Sequence, residues 1–561
     1  MLQILLLLDK SKYIEKCMTH LDSDNFKKLK TDTTKTVEES VQRALLNIKN
    51  AIGETEYKKI YPSGSNPGKF YGTAKVHKVK PDDTDKLQKL PVRPIVSNIG
   101  TATHKTAQYL CRLLSPLGKS EYSLQSTKEF VQKVRRTKAP KGMKMISFDV
   151  VSLFTNVPLQ RTIDIILRKV YKEKKIKTKI PMKNMKKLLL LCTQGVPFQF
   201  NGDMYTQIDG VMMGSPLGAL FANIFMSELE SKIIPNLGDK VMHWTRYVDD
   251  TFAFIKPDTE EEIQNVLNSF HKNINFTYER ENENMIPFLD VSVQRFEDGK
   301  IETSVYRKDT NTDIYMNWNA HAPANWKIAT LKCLVKRAFM ISSKEEYLQK
   351  ELEHLKRVFC EYNDYPERLV DNIVNNEKET QNLNKAEQLE DDNEPIDKSD
   401  NVTLCLPYAG EKGEQLVKKM KKNITQVLKK GNKDTKIRIV FNSKKLGSKF
   451  PVKDKTEAKH LHNVVYHADC PNKKCESDYT GQTRCRIERR TIQHNRTDKN
   501  SHLLQHAKQT RHRRVWLPDF KILGSGYKSD FKRRISESLF IKTLKPSLNV
   551  QQDAYRLSLF N

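Results

Sequence analysis

Two adjacent carboxylates, Asp249 and Asp250, stand directly ahead of the apolar run Thr251-Phe-Ala-Phe-Ile255 and just after Arg246-Tyr-Val248. Neighbouring acids repel each other and are disfavoured inside strands unless they are exposed or hold a cation. The segment is therefore expected to be a β-hairpin with the pair at its turn. A second β-like run, Lys144-Met-Ile-Ser-Phe148, ends on Asp149 and is followed by Ser152-Leu-Phe-Thr-Asn156. Three such acids form a hard-oxygen donor set suited to divalent cations. An isolated Asp-Asp pair more often marks a solvated hairpin tip, so its weight depends on its neighbours.

The 561-residue length allows two to four domains. Lys and Arg total 97 against 68 acidic residues, a net charge of +29. A surplus of that size favours a polyanionic partner, nucleic acid before membrane or ribosome. The nine Cys are scattered rather than packed into a short disulfide framework. That pattern implies a reducing compartment with thiols free to ligate metal. The apolar run from Ile4 to Leu8 is too short to span a bilayer and lacks a basic flank or cleavage site. It is expected to be a buried strand or helix end, exposed by a shortened N-terminus. No membrane partner and no sorting motif are expected.

The pattern implies an α+β multidomain chain. Residues 1–58 read as helical, with Tyr13, Cys17 and His20 and then Val41, Ala44, Leu45 and Ile48 at helix-face spacing. The Pro/Gly-rich passage at 61–68 opens a region, 59–320, where short β-like and helical runs alternate. Residues 321–375 are charged and helical. Residues 376–402 are acidic and polar with almost no apolar content, as in a flexible linker. A basic connector, 403–458, carries the strand-like run Ile437-Arg-Ile-Val-Phe441, and 459–555 forms a compact unit rich in Cys and His.

Between the acids lies Gly210-Val-Met-Met-Gly-Ser-Pro-Leu-Gly218. Phe148-Asp-Val-Val-Ser-Leu-Phe154, this Gly/Pro segment and Tyr247-Val-Asp-Asp250 occur in the order of motifs A, B and C of reverse transcriptases, which the chain resembles. The resemblance implies a fingers-palm-thumb polymerase with two Mg²⁺ on Asp149, Asp249 and Asp250, activating a primer 3′-OH and stabilising pyrophosphate. Gly214, Ser215 and Pro216 would let the backbone approach the nucleotide. Phe70-Tyr-Gly-Thr-Ala-Lys-Val-His77 and Pro91-Val-Arg-Pro-Ile-Val-Ser97 resemble fingers motifs, which puts Arg93 and Lys75 on the incoming triphosphate; a surface cation beside a Pro-rich turn is the alternative for both. Phe154 falls where the family places a bulky side chain under the sugar, clashing with a 2′-OH. In the thumb, Lys327, Lys332, Lys336 and Arg337 either track a template-primer backbone or form a solvated helix face.

Asp149-Val-Val-Ser-Leu-Phe-Thr-Asn-Val-Pro158, Ile286-Pro-Phe-Leu-Asp-Val291, Val305-Tyr-Arg-Lys-Asp-Thr310 and Leu8-Asp-Lys-Ser-Lys-Tyr-Ile-Glu15 together resemble a Penelope-like retroelement over nearly the whole chain. Pro287-Phe-Leu289 reads as packed strand, and Asp290 is assigned no chemistry. Val464-Val-Tyr466 and Tyr479-Thr-Gly481 resemble the signature strands of a GIY-YIG endonuclease, although Val464, Val465 and Thr480 depart from the name. Arg490 and His494, four apart on a helical face, Glu537 and Asn549 continue that family's order, with Arg489 a rival for Arg490. The resemblance implies a small α/β nuclease with one Mg²⁺ on Glu537, Arg490 balancing phosphate charge, and Tyr466, Tyr479 or His494 helping to activate water. Cys470, Cys475, His506 and His512 resemble a Cys-Cys-His-His set of Penelope-like nucleases and imply structural Zn²⁺; His502 and Cys485 are competing ligands. The implied partners are template RNA, target and primer DNA and dNTPs, and the implied site of action is the nucleus. Telomerase-like extension of existing DNA 3′ ends, an inactive nucleic-acid-binding remnant and a repair nuclease with an unrelated N-terminal region are the alternatives.

Overall fold

The computed structural model describes residues 9–75, 90–386, 401–430, 436–443, 449–527 and 529–549. The apolar run at 4–8, His77 and most of the expected polar linker lie outside the described residues. The chain divides into two compact units, one built from residues 121–151 and 230–451, the other from the described residues of 8–120, 152–229 and 452–561.

The first unit is organised on a four-stranded antiparallel sheet in the order Val241–Tyr247, Asp250–Ile255, Lys144–Val150 and Phe276–Arg280. Its strands alternate, so Phe252 and Phe254 face a core shared with the helix Thr127–Arg136. That helix starts at Ser126, whose Oγ accepts from the Glu129 amide at 3.2 Å, while Glu129 returns a carboxylate to the Gln125 amide at 2.8 Å. Phe130, Val131 and Val134 then fall on one face and pack beneath the sheet with Phe288. The apolar stretch around Phe288 forms the first strand of an antiparallel meander, Met285–Phe288, Val291–Arg295 and Ile301–Val305. Three helices, Ala324–Ile341, Glu345–Arg357 and Glu367–Ala386, enclose a separate core around Leu331, Val335, Leu352 and Val370. Two parallel strands, Asn401–Pro407 and Lys436–Asn442, joined through the helix Gly410–Lys430, end the unit.

The second unit contains a five-stranded mixed sheet in the order Phe26–Leu29, Asp203–Gln207, Pro197–Phe200, Gly68–Ala74 and Val92–Ser97. It also holds a C-terminal domain with a three-stranded antiparallel sheet, Asp478–Thr483, Val464–Asp469 and Phe520–Gly524. This sheet is flanked by the helices Ile487–Ile492, His502–Thr510 and Asp530–Leu544. Among the described residues no helix is long and apolar enough to cross a membrane.

Three boundaries differ from the sequence expectation. Residues 1–58 are not wholly helical, because Phe26–Leu29 adds an edge strand against Asp203–Gln207. Its Lys27 and Lys28 are exposed, which hides the strand from an apolar pattern. The helix Glu367–Ala386 runs on into the stretch read as linker from 376, since Glu, Lys, Gln and Asn there are compatible with helix. The strand Asn401–Pro407 likewise begins inside the expected 376–402 linker.

Candidate active sites

The strand register gathers the three acids at one sheet edge. Asp149 lies opposite Asp250 on the central pair, and Tyr247 pairs with Asp250 on the other side, so Val248 and Asp249 make a two-residue turn. Asp149 is exposed, and Asp249 and Asp250 are half-buried. Burial pushes the Asp250 carboxyl up to about 6, helped by the charges of Asp249 and Asp149 and opposed by Lys308. Hard oxygens crowded to the point of mutual repulsion are the donor set a divalent cation relieves, so the three acids fit Mg²⁺. Behind the sheet edge the Phe148 and Trp244 rings lie 5.5 Å apart, tilted by 32°.

In the second unit, the Gly/Pro segment pairs with the strand that carries Arg93. The Val96 amide donates to the Met213 carbonyl at 2.9 Å. Gly214 has φ of +120°, and a Cβ there would meet the Val96 carbonyl oxygen at 2.4 Å, so only glycine fits. The Ser215 Oγ accepts from the Leu217 amide at 3.3 Å, starting the helix Gly218–Ile233, and Pro216 occupies the turn between them. Phe154 is half-buried and anchored through its carbonyl, which accepts from Val211 at 2.8 Å. Arg93 is exposed on its strand opposite Thr73, and Lys75 follows the adjacent strand, its amide bonded to the Pro91 carbonyl at 2.8 Å. Both cations thus belong to one hairpin. In the helix Ala324–Ile341 of the first unit, Lys332 and Lys336 are exposed one turn apart. Lys327 is instead buried and donates to the Trp318 carbonyl, and Arg337 lies 3.7 Å from Asp290. Lys327 and Arg337 thus each have a protein partner, whereas Lys332 and Lys336 are the exposed pair of the row.

The C-terminal domain holds a second cluster. Tyr466 is fully enclosed; its hydroxyl lies 2.6 Å from His494 Nε2 and accepts from Arg490 Nε at 3.1 Å. His494 Nδ1 lies 2.8 Å from Ser501 Oγ, so the imidazole is hydrogen-bonded at both nitrogens. Burial raises the Tyr466 and Tyr479 hydroxyls and drives His494 down to about 3, leaving all three neutral near pH 7. Tyr479, Arg490 and Glu537 are the partly exposed members. Burial pushes Glu537 up to about 7 against the charges of Arg533, Arg534 and Arg490. A Cβ on Gly481 would meet the Tyr479 ring at 2.7 Å and the Tyr466 hydroxyl at 2.8 Å, so glycine lets the two rings close. Arg489 is exposed, whereas Arg490 is the one that reaches Tyr466. Asn549 holds the backbone of Thr480 through its amide and carbonyl, at 2.8 and 2.7 Å, a structural clamp. Asp498, 3.2 Å from Arg490, and Ser501 were not legible as members of the cluster.

Cys470, Cys475, His506 and His512 place one ligand atom each within 4.8 Å of one another. Cys470 Sγ lies 3.4 Å from both His506 Nε2 and His512 Nδ1, and Cys475 Sγ lies 3.6 Å from His506 Nε2. Tetrahedral zinc with ordinary bond lengths separates its sulfur and nitrogen ligands by about 3.5 Å, so the set fits. The rivals His502 and Cys485 fall outside this group of mutually close ligand atoms.

Residues 89–278 match the reverse transcriptase (RNA-dependent DNA polymerase) family. The chain carries a reverse transcriptase domain. Residues 314–375 match the animal helix-turn-helix domain, and no curated protein matches the sequence. Among solved structures, apo telomerase from Candida tropicalis is similar with a TM-score of 0.38 and 14% identity, covering 68% of this chain and 64% of that one. A form of it truncated from the C-terminal domain gives 0.32 and 13%, covering 48% and 60%. Telomerase from Candida albicans, in complex with a TWJ fragment of telomeric RNA, gives 0.38 and 12%, covering 64% and 68%. The chain thus spans less than two thirds of either Candida tropicalis telomerase chain.

The reverse transcriptase domain contains Arg93, Asp149, Phe154, Gly214, Ser215, Pro216, Asp249 and Asp250; Lys75 precedes the matched span. The cluster of Tyr466, Tyr479, Arg490, His494 and Glu537 and the Cys/His set lie beyond it.

Proposed function

We propose that the chain is the RNA-directed DNA polymerase of a Penelope-like retroelement, acting in the nucleus. In this reading a C-terminal GIY-YIG endonuclease nicks DNA and the polymerase extends the exposed 3′-OH on the element RNA. The observation that carries the reading is the pairing of Asp149 with Asp250 beside Asp249, at one sheet edge within a reverse transcriptase domain. The Tyr466–His494–Arg490 cluster beside Glu537, on the same chain, supports the cutting half.

Asp149, Asp249 and Asp250 would hold Mg²⁺, which would supply Lewis acidity for the attacking 3′-OH and the leaving pyrophosphate, and Glu537 would hold a further Mg²⁺ facing a scissile phosphate. Arg93 and Lys75 orient the triphosphate, while Phe154 excludes a 2′-OH. In the nuclease, the enclosed Tyr466–His494 pair fixes Arg490, whose outer edge meets the phosphate alongside Tyr479. Cys470, Cys475, His506 and His512 would hold zinc, which would staple a domain whose own apolar core is small.

The test is a supercoiled plasmid incubated with the full chain, template RNA, labelled dNTPs and Mg²⁺. The expected products are nicked plasmid and label covalently joined to it. Glu537→Gln should leave the plasmid intact yet still extend a supplied primer, and Asp249→Asn should nick without labelling. A parent protein that extends primers but never nicks overturns the coupled reading. Labelling confined to pre-existing DNA ends would favour telomerase-like extension.

A further inference from the structure

Beneath the carboxylate turn lies an ion pair with no share in the chemistry so far. The Arg246 and Glu230 side chains are both 0% exposed. Arg246 Nε donates to Glu230 Oε1 at 2.6 Å and Nη2 to Oε2 at 3.1 Å, a two-pronged fork. Trp244 Nε1 donates to the same Oε1 at 3.1 Å. The remaining edge of the guanidinium, Nη1, donates to the Val248 carbonyl at 2.9 Å. An apolar pair of equal volume often packs as well as an enclosed ion pair, so core stability alone gives no reason for this one.

The turn it touches supplies the reason. Val248 has φ of +59°, a left-handed conformation that a β-branched side chain resists. The Val248 carbonyl belongs to the peptide that leads into Asp249, so holding that oxygen sets the direction in which Asp249 leaves the turn. The Asp249 carbonyl in turn accepts from the Val150 amide at 3.3 Å, tying the turn to the residue after Asp149. Glu230 lies on the helix Gly218–Ile233 and braces the fork from below.

We propose that Arg246 is a positioning residue: braced by Glu230, it holds the Val248–Asp249 peptide in its strained turn, so that Asp249 and Asp250 are aimed at a common cation site before the cation binds. The inference rests on those acids being the metal carboxylates. Arg246→Lys keeps a charge for Glu230 but cannot fork to it and reach Val248 together. Val248→Gly removes the steric resistance to positive φ. Trp244→Phe takes one donor from Glu230 and leaves the turn untouched.

The readouts are Mn²⁺ binding by the full chain carrying Glu537→Gln, so that the C-terminal cluster does not contribute, on an RNA–DNA primer-template followed by electron paramagnetic resonance, and the Mg²⁺ half-saturation of primer extension. Arg246→Lys should weaken Mn²⁺ binding and raise the Mg²⁺ requirement by about tenfold, the size of a released backbone strain. Adding Val248→Gly should recover most of that loss. Trp244→Phe should bind Mn²⁺ like the parent. If Arg246→Lys fails to fold, Glu230→Gln, which keeps an acceptor for Nε but loosens the brace, is read the same way. Unchanged Mn²⁺ binding in the Arg246→Lys or Glu230→Gln protein overturns the proposal. So does a defect that Val248→Gly does not relieve, or an equal defect in Trp244→Phe. Mn²⁺ binding that survives Asp249→Asn would instead defeat the metal assignment itself, whatever Arg246 does.

Discussion

Replacing Asp250 with Asn should stabilise the metal-free protein at neutral pH while destroying polymerisation. Its carboxyl is raised from 3.8 to about 6, chiefly by burial and then by Asp249 and Asp149. A raised acid means the fold favours the protonated form. The penalty for carrying the ionised acid is absent below about pH 4, grows as pH climbs toward 6 and is complete above it. The shift corresponds to about 3 kcal/mol. Because Asp250 is only partly buried, solvent screening reduces this to roughly 1–2 kcal/mol. For a unit of this size that is about 2–6 °C in melting temperature. The assay is thermal denaturation of parent and Asp250→Asn in EDTA, across pH 4 to 8. The variant should melt higher at pH 7.5, the gap should close toward pH 4, and millimolar Mg²⁺ should stabilise the parent selectively. An Asn variant no more stable than the parent at pH 7.5, or a gap independent of pH, would refute the reasoning.

Three further outcomes follow from the geometry. Phe154→Ala should improve ribonucleotide incorporation relative to deoxynucleotides by on the order of tenfold or more, measured by competing rNTP and dNTP in primer extension; an unchanged ratio removes Phe154 from sugar selection. Gly214→Ala should cost about 2–4 kcal/mol in denaturant unfolding or raise the dNTP KM, because its Cβ would meet a backbone oxygen at 2.4 Å that no side-chain rotation can clear. The purified chain should contain stoichiometric zinc by elemental analysis, lost in Cys470→Ser and kept in Cys485→Ser; a zinc-free parent that stays folded in chelator contradicts the site.

The parts of the site legible in the sequence are those where chemistry and backbone pattern coincide. Asp249 and Asp250 interrupt two β-like runs, and an acid pair there has few places to go except a hairpin turn. Gly214 could be picked out because the Gly-Ser-Pro segment is too rich in backbone exceptions for an ordinary strand. The Cys/His set had compatible spacing, but only the folded chain brings Cys470, Cys475, His506 and His512 within 4.8 Å of one another and leaves His502 out. Arg489 and Arg490 are indistinguishable by spacing, and the helix turns one inward and the other to solvent. The Arg246–Glu230 pair escaped notice because its members are brought together by sheet-on-helix packing, which leaves no local pattern. Val248 even argues against its own conformation, since a β-branched residue predicts extended backbone and here stands at φ +59°. The strand Phe26–Leu29 was hidden for a simpler reason: an edge strand with two exposed lysines carries little apolar signal.

The central claim is that Asp149, Asp249 and Asp250 run RNA-templated DNA synthesis, and the most direct measurement is extension of a DNA primer annealed to RNA, with parent and Asp249→Asn compared at matched folded concentration. Mg²⁺-dependent dNTP incorporation by the parent and its loss in Asp249→Asn are predicted. A folded parent that incorporates no dNTP, or an Asp249→Asn protein that extends as well as the parent, would contradict it.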